Sequence, residues 1–372
     1  MNGLGHGGAL RVAMVSAQAV PIMGGIETHV HEVSRRLAAS GVDVTVLTTD
    51  RSGELARTEA LSGYRVRRWP AYPRGRDYYI SPGLARYLAG AQRNYDVVHV
   101  QGVHTFVPPA ALAAARRARI PSVLTFHTGG HSSGVRHRLR SLQWKLLGPP
   151  LRTATALVAV CEFERRLFAQ TLGVPESSIR LIRNGCEPLP VDYSAPSLGG
   201  NPLVISVGRL EEYKGHHRIL QAMPEILNQA PGAKLALIGS GPFELALRDM
   251  ARDLGVADRV LIRGYPPGER AGLGKVVSDA DVVCLLSEYE AHPVAVMEAI
   301  GTGGKALVAD TSGLTELGRA GLVTTIPLDA SPQEVAAMVL KLAAEPRNAP
   351  AQLPTWDDCA EELHSLYREV VR

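Results

Sequence analysis

The chain has 372 residues, 45% hydrophobic and 20% charged, which is about two and a half times a typical ~150-residue domain. That mix is too apolar for a disordered chain, and no stretch is continuously apolar over the ~18–20 residues of a membrane-spanning helix. The net charge of +4 conceals a division, since residues 1–190 carry 24 Lys and Arg against 12 Asp and Glu, and residues 191–372 carry 16 against 24.

A basic first half suits an anionic partner, whether a membrane surface, a phosphorylated molecule or nucleic acid. The alternatives are attraction between the two halves, or arginines that only decorate the surface. Cys161, Cys186, Cys284 and Cys359 lie far apart with no C-x-x-C spacing. A disulfide framework and a structural zinc are therefore not expected. Residues 1–9 are Gly-rich and lack the pattern of a secretory leader, so a cytoplasmic protein is expected.

Short apolar runs alternate with amphipathic stretches along the whole chain, the pattern of parallel sheets with helical crossovers. In the first half the runs predict strands over Arg11–Ser16, Val42–Thr48, Tyr64–Trp69, Val97–Val100, Ser122–Phe126 and Leu157–Val160. A second series covers Leu203–Val207, Leu235–Ile238, Val260–Arg263, Val282–Leu286 and Ala306–Ala309. Helices are predicted between them, among others over Ile26–Ala39, Gly215–Asn228 and Val294–Gly301. Residues 188–202, rich in Pro, Ser and Gly, mark the expected domain boundary. The expectation is α/β with two doubly wound, Rossmann-like domains, one over 1–190 and the other over 200–354, and a ligand at the carboxyl ends of the strands.

Three loops carry candidate chemistry. The first, Met23-Gly24-Gly25-Ile26-Glu27-Thr28-His29-Val30, follows the opening strand. Its two glycines let backbone amides approach a ligand at a helix N-terminus, which suits phosphate. An ordinary tight turn would look the same, and the G-x-G-x-x-G dinucleotide fingerprint is absent. The second, Val207-Gly208-Arg209-Leu210-Glu211-Glu212-Tyr213-Lys214-Gly215, places Arg209 past a strand end and Lys214 before a helix. Two such cations could hold a diphosphate and stabilise it as it leaves. The third runs from Ser287 through Glu290, His292 and Pro293 to Glu298. Pro293 suits a helix start, so Glu290 precedes the helix and Glu298 lies inside it. A carboxylate on an apolar helix needs donors, and either sugar hydroxyls or a neighbouring Arg or Lys would serve.

In this order the three elements resemble glycosyltransferase family 4, retaining nucleotide-sugar enzymes of the GT-B fold, and the likeness covers nearly the whole chain. GGIETHV is similar to that family's glycine loop. Asp96–Gly102 (DVVHVQG), Thr125–Gly130 (TFHTGG), Ile182–Glu187 (IRNGCE), Leu237–Pro242 (LIGSGP) and the Glu290/Glu298 pair resemble its further motifs. Arg183 departs from the usual proline, and His292-Pro293 departs from the usual Phe-Gly. The resemblance implies two domains facing across a cleft, with a closing helix over 355–372 that crosses back onto the first. It implies that Gly24 and Gly25 approach the donor diphosphate and the acceptor, and that His127 lies at the reacting sugar. Gly208, Arg209, Lys214 and Gly241 would line the diphosphate, with the backbone amides of Val294 and Ala295 nearby. Glu290 would bind hydroxyls of the sugar and Glu298 the ribose. His127, Arg209, Lys214 and Glu290 thus form the implied catalytic set. The reaction implied is front-face substitution with retention, without a protein nucleophile, and UDP-sugars are the default donor.

Other strings have plainer readings. Asp279-Ala-Asp281 spells a metal-binding D-x-D, but it joins a helix end to a buried strand, where Asp281 would cap the junction. His127 and His131 have a helical zinc spacing, yet Gly129 and Gly130 between them oppose a helix. No metal or other cofactor is expected. Asp357-Asp358 after Trp356 suits a helix start. Residues 134–152 are basic and amphipathic, suited to an anionic membrane surface or to packing on the sheet, and Arg65, Arg67, Arg68, Arg74 and Arg76 would extend the same positive face. The expected acceptor hydroxyl is that of a lipid-linked or polysaccharide intermediate at the inner face of a membrane, with a soluble aglycone or amino-cyclitol as the alternative. A non-catalytic nucleotide-sugar or nucleic-acid binding protein is the reading from another class. Only 5% of residues are aromatic and no nucleic-acid motif appears, so no nucleic acid is expected.

Overall fold

Val12, Ala13, Met14 and Val15 are buried in β1 (Arg11–Ser16), and their side chains alternate between two cores. A strand covered on both faces reads as a continuous apolar run. The computed structural model describes residues 9–22, 24–74, 78–127 and 148–372, which divide into two compact units. One takes described residues from 9 to 185 together with 354–372, and the other takes 186–353.

In the first unit β1 lies at the middle of an eight-stranded sheet with β2 (Asp43–Asp50), β3 (Thr58–Leu61), β4 (Tyr64–Pro70), β5 (Val97–Gln101), β6 (Ser122–Thr125), β7 (Ala156–Ala159) and β8 (Ile179–Leu181). The order is β3-β4-β2-β1-β5-β6-β7-β8, parallel throughout except for β3 against β4. On one face α2 (Pro82–Ala89), α3 (Val107–Arg117) and α4 (Glu162–Leu172) pack Leu84, Leu88, Leu112 and Phe168 on the sheet. On the other, α1 (Gly25–Ala39) and α11 (Trp356–Val371) contribute Val30, Val33, Leu37, Trp356 and Leu363. The last helix therefore packs on the first unit. Its start is tight, because a Cβ at Gly185 would lie 2.2 Å from the Trp356 nitrogen. Asp358 closes a capping box with Thr355, and Asp357 pairs with Arg36 at 2.8 Å.

The second unit holds β9 (Leu203–Val207), β10 (Lys234–Ile238), β11 (Val260–Arg263), β12 (Val282–Leu285), β13 (Ala306–Ala309) and β14 (Thr324–Ile326). All pairs are parallel, in the order β11-β10-β9-β12-β13-β14. One face carries α5 (His216–Gln229), α6 (Glu244–Asp253) and α10 (Pro332–Ala344). The other carries α7 (Arg270–Asp279) and α8 (Val294–Ile300), and α9 (Leu314–Arg319) adds Leu314 and Leu317 to the core that α8 covers. Residues 188–202 belong to this unit, with Leu189 packed beside Leu203 and Val277 and the Asp192 amide bonded to the Ala271 carbonyl. The division between units thus falls at 185/186, ahead of the predicted stretch.

Strands β3, β8 and β14 were not predicted. Each is three or four residues long and lies at a sheet edge, where no apolar run is needed. Met23, Arg76 and residues 128–147, including His131 and most of the basic amphipathic stretch, lie outside the described residues. Among the described residues no helix is long and apolar enough to cross a membrane.

Candidate active site

In each sheet the strand order turns at one place, between β1 and β5 in the first unit and between β9 and β12 in the second. Loops leaving the carboxyl ends of such neighbours diverge and open a crevice, the usual ligand position in this architecture. Lys214 follows β9 and Glu290 follows β12, so the second unit places both at its turning point.

There the two side chains meet. Lys214 Nζ donates to Glu290 Oε1 at 2.5 Å, and Ser287 Oγ donates to the same oxygen at 3.0 Å. Burial pulls the Lys214 pKa down, but Glu290, Tyr213 and Glu211 more than offset this, and the ammonium is held above the ordinary lysine value. The loop geometry is enforced by bare backbone. Gly215 has φ +72°, and a Cβ there would lie 1.9 Å from the Leu286 carbonyl oxygen. The Glu290 amide donates to Ser312 Oγ at 2.8 Å, and its carbonyl accepts from the Gly313 amide at 2.8 Å.

Gly208 lies against Lys214, its Cβ position 4.0 Å from that side chain, and Gly241 sits close against the Leu210 backbone. The Leu210 amide bonds the Ser240 carbonyl at 3.0 Å, which ties the loops after β9 and β10 together. The Arg209 side chain is 67% exposed and pairs with Glu211 at 2.5 Å. Both cations act electrostatically on the Tyr213 phenol, whose pKa is raised by burial and further by Glu290 and Glu211. Glu290 stands before α8 and Glu298 within it, as the sequence predicts. Glu298 is 8% exposed and accepts from Arg270 at 2.9 Å, so the neighbouring-arginine alternative describes this structure. Val294 and Ala295 open α8, and the Val296 and Met297 amides bond the carbonyl of the N-cap residue Pro293, both at 3.1 Å.

Gly24, Gly25 and His127 belong to the first unit. Gly24 is the N-cap residue of α1, where a Cβ would lie 2.5 Å from Glu27 Oε2, whereas Gly25 faces open space. His127 has φ +46° and donates Nε2–H to Gln101 Oε1 at 2.7 Å. Its ring stands edge-on to that of His29, centroids 4.5 Å apart. His29 Nδ1 bonds Asn184 Oδ1 at 2.9 Å, and burial lowers its pKa to about 4 despite that bond. His99 Nδ1 bonds the Tyr367 hydroxyl at 2.6 Å and Nε2 bonds Thr125 Oγ1 at 2.7 Å; burial holds this ring neutral as well. The glycine loop and His127 are therefore backed by a buried polar cluster. His29, Gln101 and Asn184 lie within the motifs noted in the sequence and Tyr367 within the closing helix, but none of these carries a sequence signal of the pairings.

One expectation needs revision. Arg65, Arg67 and Arg68 do not extend a free positive face. Arg65 pairs with Asp43 across the sheet, Arg67 stacks on Trp69 and Tyr87, and Arg68 is buried with Glu59 and the Val20 and Ala56 carbonyls. The D-x-D carboxylates have structural partners, since Asp281 accepts from the Leu203 amide at 2.7 Å and Asp279 from Lys275 at 2.6 Å. Among the described residues no three His, Cys, Asp or Glu side chains are grouped to hold a metal ion. All four cysteines are free and buried.

Residues 23–188 match the family described as Glycosyltransferase Family 4, and residues 194–353 match Glycosyl transferases group 1. A D-inositol 3-phosphate glycosyltransferase of Nocardiopsis dassonvillei is 28% identical, covering 96% of this chain and 94% of that protein. A glycogen synthase of Mycobacterium tuberculosis is 29% identical over 82% of this chain and 80% of its own length. Among solved structures, Anabaena Alr3699/HepE in complex with UDP and glucose superposes with a TM-score of 0.73 at 17% identity, covering 96% of this chain and 99% of that one. With both of its sheets, its motifs and these two matches in agreement, the chain belongs to the family 4 glycosyltransferases of the GT-B fold.

Proposed function

We propose that this glycosyltransferase moves a sugar, with retention, from a nucleotide diphosphate donor held by the second unit to an acceptor hydroxyl. The observation that carries this is the Lys214–Glu290–Ser287 cluster at the turning point of the second sheet. Lys214 supplies a buried, permanently protonated charge for a departing diphosphate, and Arg209, long and exposed, can close on the same group. Glu290 binds hydroxyls of the donor sugar. Its Oε1 already accepts from Lys214 and Ser287, which suits a binding carboxylate better than a nucleophile. Glu298 binds the ribose by exchanging Arg270 for hydroxyl donors. His127, held by Gln101, and the Gly24-Gly25 turn serve the transfer from the first unit. No metal is required.

UDP is the first donor base to test, as in the Anabaena complex. For the acceptor, a soluble polyol phosphate ranks ahead of a lipid-linked intermediate. Arg65, Arg67 and Arg68 are engaged within the fold, and the Nocardiopsis relative is named for an inositol phosphate. The basic balance of the first half suits such an anion. A thermal-shift panel of UDP, GDP, ADP and TDP tests the donor reading, because a ligand held at 100 times its Kd stabilises by about 2.7 kcal/mol. No shift with any of the four refutes it. Inositol phosphates and anionic vesicles then divide the acceptor classes. Salt-sensitive sedimentation with vesicles and no glycosylation of the polyol phosphates would restore the membrane reading.

A further inference from the structure

His216 is fully buried at the start of α5 and forms no part of the proposed catalytic set. Its Nε2 lies 3.1 Å from the Arg209 carbonyl oxygen, and its Nδ1 lies 2.8 Å from Ser206 Oγ in β9. A carbonyl only accepts, so Nε2 carries the proton. Nδ1 then presents its lone pair and takes the Ser206 hydroxyl hydrogen. Two hydrogen bonds thus set both the tautomer and the ring plane. The imidazole lies against Gly208, whose Cβ position is 3.8 Å from both Cε1 and Nε2.

The loop this ring supports is the one that carries Arg209. On its flanks the Gly208 amide bonds the Ile238 carbonyl and the Leu210 amide bonds the Ser240 carbonyl, so both neighbours of Arg209 are anchored to β10 and its loop. The carbonyl of Arg209 itself accepts from two donors, the Glu211 amide at 2.8 Å and His216 Nε2 at 3.1 Å. Rotating the peptide planes on either side of Arg209 would redirect its side chain, and the imidazole opposes that rotation. The His216 side chain joins the Glu211 amide in holding this carbonyl, so it acts on the direction in which the guanidinium leaves the backbone, through the carbonyl rather than through the charged end.

We propose that His216 is a positioning residue that aims Arg209 at the diphosphate of the donor. This inference rests on the donor reading above. His216 touches no substrate and transfers no proton. It holds a backbone carbonyl so that the neighbouring cation starts from a fixed position.

The test is a double-mutant cycle on diphosphate affinity, read by calorimetry with whichever of UDP, GDP, ADP and TDP the wild type holds most tightly. The proteins are wild type, His216→Phe, Arg209→Ala and the double variant, with His216→Gln as the conservative case. Gln keeps a side-chain N–H for the carbonyl, and Phe fills the space without one. His216→Phe is expected to weaken the diphosphate about ten-fold, and to add less than about two-fold once Arg209 is already Ala, since residues acting through one group are not additive. His216→Gln is expected to recover most of the loss. Melting temperatures of the single variants within a few degrees of wild type show that the fold is retained, and if His216→Phe does not fold, the cycle is run with His216→Gln and His216→Asn. Losses that multiply in the double variant overturn the inference, and so does full affinity in His216→Phe. A wild type that binds none of the four nucleotides overturns the donor reading instead, a different result from either of these.

Discussion

Replacing Lys214 by Ala separates what this residue does for the fold from what it does for the reaction. The side chains of Lys214 and Glu290 are 17% and 10% exposed and meet at 2.5 Å. Removing one partner of a buried pair leaves an uncompensated charge and costs about 3–5 kcal/mol. Ser287 still donates to Glu290 here, so the lower end applies, about 3 kcal/mol. In a unit of this size that lowers its melting temperature by about 6–12 °C. Adding Glu290→Gln removes the stranded charge, keeps an oxygen for Ser287, and should return most of the stability. Turnover should not return. One preorganised charge on a leaving group is worth about 100- to 1,000-fold in rate, and no other group replaces it. Urea unfolding and steady-state rates of Lys214→Ala and of the double variant read the two effects separately. Lys214→Ala turning over within a few-fold of wild type would refute the leaving-group role. A double variant as unstable as the single one would refute the stranded-charge account.

Arg209→Ala should cut turnover by about ten-fold or more with little effect on stability, because its side chain is 67% exposed; unchanged turnover and diphosphate affinity would remove it from the site. Glu298→Ala should weaken a ribonucleotide and leave its 2′,3′-dideoxy analogue almost unaffected, read by competitive binding; equal losses would reassign Glu298 to holding Arg270 in place. Stability should fall as pH drops from about 6.5 towards 4. His29 and His216 each have folded-state pKa values lowered to about 4 by burial, so the unfolded chain takes up protons in that window and the folded chain does not, at about 3 kcal/mol for each ring. Urea midpoints at pH 7, 5 and 4 measure this, and a flat profile would contradict it. Gly215→Ala should destabilise the second unit by more than about 1–3 kcal/mol, since φ +72° and a 1.9 Å approach to the Leu286 oxygen leave no room for a methyl; wild-type melting would show that the loop adapts. Activity should survive EDTA, and strict dependence on Mn or Mg would reopen the metal question.

What could be read from the sequence was local. Lys214 and Glu290 were legible because each stands within a few residues of a strand end, and strand, loop and helix starts are written in short-range apolar patterning and glycines. Their direct pairing was not, because it depends on β9 and β12 being neighbours although 74 residues of chain lie between the end of β9 and the start of β12. The same limit hid Arg270 from Glu298. It also hid Asn184 from His29, 155 positions apart, and Tyr367 from His99, 268 apart. The arginines near residue 65 were read as a solvated face because their charges are visible in sequence while their partners are not. Asp43 lies on the adjoining strand, Glu59 on the antiparallel edge, and the rings of Trp69 and Tyr87 become a stacking surface only once β4 and α2 have packed. Legibility fails where the partner is a backbone carbonyl as well, and His216 is the example.

Each charged group assigned to the donor has an oppositely charged partner within the second unit. Lys214 is occupied by Glu290, Arg209 by Glu211, and Glu298 by Arg270. A buried charge left alone would be expensive, so Lys214, Glu290 and Glu298 are each held by an opposite charge. Under the proposed function, donor binding is an exchange, in which the diphosphate would compete with Glu290 and Glu211 for the cations and the ribose with Arg270 for Glu298. Each exchange returns only the difference between two charge-assisted contacts, which keeps ground-state affinity modest while the full charge of Lys214 and Arg209 becomes available as the diphosphate separates and gains negative charge. Interactions that strengthen along the reaction raise turnover, whereas equal binding of ground and transition states does not. On this account, truncating Glu211 should tighten the diphosphate by freeing Arg209. A Glu211→Ala variant that binds it more weakly than wild type would mean that the Arg209–Glu211 pair is part of the bound geometry rather than a competitor for it.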